Sequence, residues 1–180
     1  MLAEAALRDT LAAVSRVHTA RRLLVLDGEP GPWLPSGFDV VPQRGAGLAE
    51  RLAGAFDAVD GPALLIGMDT PQVTPGLLRA CGRALLAPGV DAVLGAAADG
   101  GYWAIGLRRP DPSVFEDVPM SIPATGAAQR RRLHQLGLAT AELPRLRDVD
   151  TYTDALAVAA AAPLTRFRHE LRRAAARRAA

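Results

Sequence analysis

Apolar residues follow two spacings along this chain. Short apolar runs bounded by glycine, proline or aspartate alternate with longer stretches in which apolar residues recur every three or four positions. The short runs predict strands at 21–28, 38–43, 61–67, 90–95, 101–107 and 138–143, and the run at 61–67 is the clearest candidate for a buried strand. The longer stretches predict helices at 2–16, 47–59, 74–86, 127–137 and 150–162. Such alternation predicts an α/β fold with three layers, in which a mostly parallel sheet carries helices on both faces.

Local signals mark the start of two helices. Thr74 followed by Pro75 is typical of a helix N-terminus, because the hydroxyl can accept a hydrogen bond from a free backbone N–H and proline fits the first turn. The last predicted helix has either Asp150 or Thr151 as its cap. Cys81, the one cysteine, excludes an internal disulfide and is predicted to be a small buried side chain within a helix.

Length and composition predict one compact domain. The chain has 180 residues, of which 49% are hydrophobic, and this is enough for a core that buries most of the surface on folding. No apolar run approaches the roughly 20 residues of a membrane span, and the N-terminus has no signal-peptide pattern. We therefore expect a cytoplasmic protein with a single domain over 1–162 and a basic helical tail over 163–180.

The positive charge is concentrated near the C-terminus. All 21 basic residues are arginine, and the formal net charge is +2. Residues 163–180 contain six arginines and one glutamate, which leaves the rest of the chain slightly acidic. The body of the protein therefore lacks the basic footprint of a nucleic-acid-binding protein. Leu164, Phe167 and Leu171 form one helical stripe in the tail, which either docks on the domain or binds a membrane surface or an acidic partner.

Three acidic segments each follow a predicted strand. Asp69 lies in I-G-M-D-T-P, Asp99 in A-D-G-G-Y-W, and Asp148 and Asp150 in L-R-D-V-D-T. Because ligands of open α/β sheets bind outside the carboxyl ends of the strands, we expect these carboxylates to converge. Converging carboxylates require a cation, and oxygen ligands favour a hard ion such as Mg2+, which usually binds together with phosphates.

Each segment also has a purely structural interpretation. For Asp69 the alternative is an Asx turn that caps its own backbone, with about equal weight. D-G-G-Y-W also fits a hairpin turn, and for Trp103 we favour a place in the core over a place in a pocket wall. Asp148 and Asp150 share one side of an extended segment. If Asp150 caps the next helix, only Asp148 lacks a structural role.

Together these segments resemble a known family. The stretch from Leu23 to Ala157 is similar to the bacterial selenodomain-associated transferases, which are GT-A-type nucleotide-diphospho-sugar transferases. It is more distantly similar to the guanylyltransferases that make molybdenum dinucleotide and 2-phospholactate-derived cofactors. The matching segments are P-Q-R-G-A-G-L-A-E-R at 42–51, I-G-M-D-T-P at 66–71, D-A-V-L-G-A-A-A-D-G-G-Y-W-A-I-G-L-R at 91–108 and L-P-R-L-R-D-V-D-T at 143–151. The resemblance implies a GT-A-like fold and a metal-dependent transferase with a nucleotide-activated donor, either a glycosyltransferase or a nucleotidyltransferase.

The resemblance also implies roles for individual residues. Asp69, Asp148 and Asp150 would hold Mg2+ or Mn2+, whose charge stabilises a diphosphate leaving group. The residues implied to bind the nucleotide or nucleotide sugar are Gln43, Gly47, Arg51 and Gly67. The residues implied to face a small-molecule acceptor are Asp99, Gly100, Gly101 and Tyr102. Asp99 is also the candidate catalytic base. A homodimer is compatible with the resemblance.

The sequence departs from the family pattern in two places. Family members begin with a strand and a phosphate-binding loop, whereas this sequence begins with the helix that would follow that loop. The expected fold is therefore N-terminally truncated, with a gap in its sheet where a strand belongs. Either the start lies further upstream, or the chain is a catalytically inactive relative that acts as a binding or partner-completed subunit. The second departure is Met120 and Ser121, which replace an aromatic residue and a threonine near the acceptor site.

Overall fold

The computed structural model describes residues 2–179. In chain order its elements are helix α1 (Leu2–Ser15), strands β1 (Leu23–Leu26) and β2 (Asp39–Pro42), helix α2 (Leu48–Phe56), strand β3 (Ala63–Ile66), helix α3 (Pro75–Leu85), strands β4 (Ala92–Ala97) and β5 (Tyr102–Leu107), a 3₁₀ helix (Pro112–Phe115), helix α4 (Thr125–Gln135), strand β6 (Thr140–Leu146), and helices α5 (Tyr152–Ala161) and α6 (Arg166–Ala179). The predicted alternation of helices and strands is confirmed, with ends that shift by a few residues. Within residues 2–179, no helix is both long and apolar enough to cross a bilayer.

The strands form two sheets. β1 and β2 pair in parallel. The other sheet has the order β3-β5-β4-β6, in which β4 and β6 are parallel while β5 runs antiparallel to both β3 and β4. Three of its four strands therefore point the same way, and the carboxyl ends of β3, β4 and β6 lie along one edge.

Helices cover both faces of the four-stranded sheet and make the three layers. On one face, α3 packs Leu78 and Cys81 against Val93 of β4. The other face is covered by α2, the 3₁₀ helix and α4, and its buried residues include Phe56, Phe115, Leu133, Leu94 and Ile105. Neighbouring residues of β4 thus alternate between the two cores, as expected for a strand with period two. Cys81 is 1% exposed, which confirms its predicted burial.

The strand β3 is less buried than its sequence predicts. All four of its residues have intermediate exposure, as do those of β1, whereas five of the six residues of β4 are buried. The reason is strand pairing: in the described part of the chain, β3 has β5 as its only strand neighbour and β1 has only β2. An apolar strand with one free edge keeps contact with solvent, and the apolar run at 61–67 does not reveal how many neighbours it has.

The C-terminal helix α6 packs on α1 and α5. Phe167 and Leu171 are 1% and 4% exposed and belong to a small core shared by the three helices. The carboxylate of Asp9 in α1 accepts the backbone N–H groups of Arg166 and Phe167 at 3.1 and 2.9 Å, and so caps the first turn of α6. Leu164 precedes the helix and is fully exposed, at 99%. Docking of the apolar stripe thus rests on Phe167 and Leu171.

Candidate functional site

The acidic segments that follow β3, β4 and β6 meet at the carboxyl edge of the four-stranded sheet. Carboxylate oxygens of Asp99, Asp148 and Asp150 lie within 4.8 Å of one another. Asp69 is close enough for its charge to interact with those of Asp99 and Asp150. Its backbone carbonyl also accepts the N–H of Val149 at 3.1 Å, which joins two of the segments directly. Three carboxylates therefore lie within reach of one ion, and Asp69, an implied metal ligand, lies beside this group and not within it.

The cluster is electrostatically unfavourable without a counter-ion. Burial raises the pKa of Asp148 to about 6, and the neighbouring Asp99 and Asp150 add to this effect. Desolvation of the carboxyl group is the largest cause that raises the pKa of Asp69, followed by the charges of Asp150 and Asp99. Part of this residue nevertheless remains exposed to solvent. Within the described residues, the ion pairs formed by arginine side chains go to other acids. A cation is therefore the natural partner of these charges.

The donor set fits a hard divalent ion. Oxygen ligands lie about 2.0–2.6 Å from Mg2+ or Ca2+, so two ligands on opposite sides of one ion are about 4 to 5 Å apart. The three carboxylates already satisfy this spacing. Because every donor is an oxygen, the set suits Mg2+ or Mn2+ better than a softer metal.

The helix α5 is capped by Thr151, so the alternative in which Asp150 is the cap is wrong. The hydroxyl of Thr151 accepts the N–H of Asp154 at 3.2 Å, and the carboxylate of Asp154 accepts the N–H of Thr151 at 3.0 Å. This reciprocal pair is a capping box. Because the helix end is satisfied without Asp150, that carboxylate is free to face Asp99 and Asp148.

Asp99 lies in a tight turn between β4 and β5, and the predicted hairpin is present. Its carboxylate accepts the N–H of Gly101 at 2.7 Å, which makes an Asx turn. Gly100 has φ +98°, and a Cβ at this position would collide with the carbonyl of Pro123. The N–H of Gly126, in the first turn of α4, donates to the Gly100 carbonyl at 2.8 Å. The turn is therefore clamped against α4, and only glycine allows this close approach.

The two aromatic residues after the turn lie on opposite faces of β5. Trp103 is 2% exposed, which confirms the favoured core interpretation. Tyr102 is half-buried; its hydroxyl donates to Gln129 Oε1 at 3.3 Å and lies 3.9 Å from Met120 Sδ. Burial raises the pKa of Tyr102. Met120, which departs from the family pattern, thus lies beside a residue implied to face the acceptor.

Three of the residues implied to bind the nucleotide lie together near β2 and α2. Arg51 donates to Gln43 Oε1 at 3.0 Å and pairs with Asp27 at 3.5 Å. Gly47 is the N-cap of α2, and no side chain caps this helix end. An uncapped helix start exposes N–H donors that suit an anion such as a phosphate.

The fourth, Gly67, belongs with the acids instead. A Cβ at Gly67 would lie 2.6 Å from the Oδ1 atom of Asp69, so glycine leaves room for this carboxylate.

Two residues not singled out in the sequence also hold the acidic segments. Gln72 donates from Nε2 to the carbonyl of Arg147 at 2.5 Å and so joins the segment after β3 to the segment after β6. Arg145 donates to the carbonyls of Ala97 and Ala98 at 3.3 and 3.0 Å. These hydrogen bonds join residues more than 40 positions apart, so no local spacing pattern in the sequence predicts them.

Comparisons with known proteins place the chain in a family. Residues 5–122, more than half of the chain, match the family described as "Uncharacterized protein conserved in bacteria (DUF2064)". Among solved structures, a "putative nucleotide-diphospho-sugar transferase" from Desulfovibrio desulfuricans G20 has a TM-score of 0.72 and 28% identity, and the match covers 84% of this chain and 70% of that one. Comparison with curated proteins gives no match.

Two more distant structures share the fold. CMP:2-keto-3-deoxy-manno-octonic acid synthetase, solved with CTP, has a TM-score of 0.61 at 13% identity over 86% of both chains. A homolog of Mycobacterium tuberculosis rv0371c from Mycobacterium sp. strain JC1 has a TM-score of 0.55 at 21% identity, covering 88% of this chain and 83% of that one.

These likenesses confirm the α/β fold of nucleotide-diphospho-sugar transferases and the resemblance to that superfamily. The narrower resemblance to selenodomain-associated transferases stays a prediction. By its sequence match, the chain belongs to the DUF2064 family of uncharacterized proteins conserved in bacteria.

Proposed function

We propose that the protein is a metal-dependent transferase that takes a group from a nucleotide-activated donor and passes it to a small-molecule acceptor. The observation that carries the proposal is the convergence of Asp99, Asp148 and Asp150 at the carboxyl edge of the sheet. This edge is where open α/β folds bind nucleotides. The similar structures include one described as a nucleotide-diphospho-sugar transferase and one solved with CTP, which supports the same class of ligand.

Asp99, Asp148 and Asp150 would hold Mg2+ or Mn2+, with Asp69 adding negative charge beside them. When bound, the ion supplies positive charge that stabilises a diphosphate leaving group. The chain's own contribution is to bring the carboxylates together in advance, at the cost reflected in the raised pKa of Asp148. The geometry favours a ligand role for Asp99, and its implied role as catalytic base stays a prediction.

The segment around the start of α2 would form the other half of the donor site. Its uncapped N-terminus offers backbone N–H groups, and Gly47 keeps the approach open because nothing lies within 4 Å of a Cβ built there. The guanidinium of Arg51 is held by Gln43 and remains partly exposed, so it can contact the base, ribose or phosphate. Gly67 would let the nucleotide approach the carboxylate of Asp69.

Two reactions fit this site. In glycosyl transfer, an acceptor oxygen attacks the anomeric carbon of the sugar, and the nucleoside diphosphate leaves. In nucleotidyl transfer, an acceptor oxygen attacks the α-phosphorus of a nucleoside triphosphate, and pyrophosphate leaves. Both reactions place negative charge on a leaving diphosphate, so both need the same acidic cluster, and the identity of the released product distinguishes them.

A thermal-shift screen of the chain against nucleotides and nucleotide sugars, with and without Mn2+, tests the proposal. A ligand at a hundred times its dissociation constant adds about 2.7 kcal/mol of stability, which raises the melting temperature by roughly 5–10 °C for a domain of this size. We expect a shift that requires Mn2+, persists in Asp60→Ala and disappears in Asp148→Ala. Asp60 lies just before β3, at the opposite edge of the sheet, and is a matched control. An equal shift in both variants would contradict the proposal.

A second candidate is a binding subunit that a partner completes, and the divided sheet favours it. β1 and β3 each have one strand neighbour among the described residues, and free strand edges accept additional strands. Under this alternative, the donor site is complete only after a strand from outside the described residues has joined. The thermal-shift screen separates the two candidate functions. If a partner must complete the site, nucleotides with Mn2+ should not raise the melting temperature of this chain alone.

A further inference from the structure

The sheet is irregular close to the acidic segments, just after the Asp99 turn and just before Asp148. β5 contains one extra residue, Trp103, opposite the Gly95–Ala96 step of β4. β6 also contains one extra residue opposite β4, because two steps of β4 from Gly95 face three steps of β6, from Leu143 to Leu146. Such bulges bend a strand and change the direction of nearby side chains. Both therefore affect the direction in which Asp99, Asp148 and Asp150 point.

The indole of Trp103 connects the two bulges across the strand between them. Its Nε1–H donates to the carbonyl of Pro144 at 2.9 Å, although β4 separates β5 from β6. The ring crosses β4 at Gly95, where a Cβ would lie 2.5 Å from Nε1. Glycine is therefore needed at this crossing. Because Trp103 is 2% exposed, water does not compete for this hydrogen bond.

Arg145, the neighbour of Pro144, connects the β6 bulge to the Asp99 turn. Its guanidinium donates to the carbonyls of Ala97 and Ala98, directly before Asp99. Arg145 itself lies three residues before Asp148. A single exposed side chain therefore links the segment that ends in Asp99 to the segment that ends in Asp148.

We propose that Trp103 and Arg145 are positioning residues that hold Asp99 against Asp148 and Asp150, and that they thereby set the affinity of the cluster for a divalent cation. This inference rests on the proposed function. The hydrogen bonds of both side chains go to backbone carbonyls, so they act through the strands and not on the ion. Like charges in the cluster repel one another, and the hydrogen bonds of Trp103 and Arg145 keep the carboxylates from moving apart.

Titration of the metal-free protein with Mn2+ by calorimetry tests the inference. Trp103→Phe keeps an aromatic ring but loses the N–H donor, and Arg145→Gln loses the guanidinium. We expect Mn2+ to bind about 10- to 100-fold more weakly to each variant, the usual effect of removing groups that orient metal ligands. The matched controls are Trp33→Phe, at the other tryptophan, and Arg130→Gln, which removes the exposed pair with Glu142 on β6. Both controls should bind as the wild type does.

Amide hydrogen exchange without metal provides a second readout. In Trp103→Phe and Arg145→Gln, we expect the segments 97–101 and 145–150 to exchange faster together, while α1 and α6 keep wild-type rates. Arg145 is exposed, so its variant folds even if Trp103→Phe does not.

Three outcomes would overturn the inference. They are Mn2+ affinities within about twofold of wild type in both variants, an equal loss in the controls, or exchange rates that rise throughout the chain. A wild-type protein that binds no Mn2+ would instead refute the metal site of the proposed function. If the wild type binds Mn2+ and both variants bind it equally well, only the positioning role is refuted and the metal site stands.

Discussion

The four-stranded sheet and the two-stranded sheet differ in how their functional candidates are held. In the first, the turn that carries Asp99 follows β4, five of whose six residues are buried, and a backbone hydrogen bond from Gly126 clamps this turn against α4. In the second, Val40 is 37% exposed, and exposed side chains of Arg51 and Glu50 hold the loop that follows Gln43. The acidic half is therefore organised before any ligand arrives, and the nucleotide half relies on the ligand for part of its order.

Two glycines give the largest expected contrast between the halves. Gly100→Ala forces a side chain into positive φ and into the carbonyl of Pro123, so we expect it to lower the free energy of unfolding by about 3 kcal/mol. Gly47→Ala meets nothing within 4 Å and should cost about 0.5 kcal/mol, the difference between glycine and alanine at an N-cap. Urea unfolding measures both. Equal losses would show that the two loops are equally constrained.

Two valines extend the contrast to the strands. Val93→Ala removes buried methyl groups from the core beneath β4 and should cost about 2 kcal/mol, whereas Val40→Ala on β2 should cost about 0.5 kcal/mol or less. The same urea titrations provide the comparison, and the chemical change is identical at both positions. If Val40→Ala were as damaging as Val93→Ala, the two-stranded sheet would be buried in solution by something beyond the described residues.

The acidic cluster should lower stability when no metal is bound. The pKa of Asp148 is raised from an ordinary value of 3.8 to about 6, so its charge destabilises the folded state above about pH 6, and the penalty fades as the pH falls towards 4. We expect Asp148→Asn to raise the melting temperature of the metal-free protein at pH 7.5 by roughly 2–4 °C. This is about 1 kcal/mol once solvent screening of a partly exposed group is allowed for.

Differential scanning calorimetry at pH 7.5 and pH 4 checks this prediction. The gain should be largely lost at pH 4, because the Asp148 carboxyl of the folded wild type is then protonated and, like asparagine, uncharged. Asp60→Asn, at the opposite edge of the sheet, should change little at either pH. A destabilised Asp148→Asn at pH 7.5 would mean that this carboxylate stabilises the fold.

Much of the fold follows from local sequence signals. Thr74 and Pro75 begin α3 as predicted, with the threonine hydroxyl accepting the Leu77 N–H at 3.1 Å. The apolar runs also identified the strands. Two features were not visible in the pattern: the antiparallel direction of β5 and the partial burial of β3. Both depend on which strands become neighbours, and an apolar run has the same composition with one neighbour or two.

The location of the candidate site could be predicted from the sequence, whereas the contacts that hold its residues could not. Strand ends and acidic residues indicated where carboxylates gather, because the carboxyl ends of same-direction strands share an edge. Local patterns left the choice between Asp150 and Thr151 as helix cap open, and the capping box with Asp154 decides it. The contacts made by Arg145 and Trp103 join residues about 40 or more positions apart, so they depend on tertiary structure that no local spacing encodes.

Calorimetric titration of Mn2+ into the wild type, Asp148→Ala and Asp60→Ala tests the central claim most directly. If the carboxylates at the edge of the sheet form a cation site, the wild type and Asp60→Ala bind one Mn2+ per chain with the same affinity. Removal of one of three carboxylate ligands should then weaken binding to Asp148→Ala by roughly 100-fold or more. Equal binding by all three proteins, or no binding by the wild type, would contradict the claim.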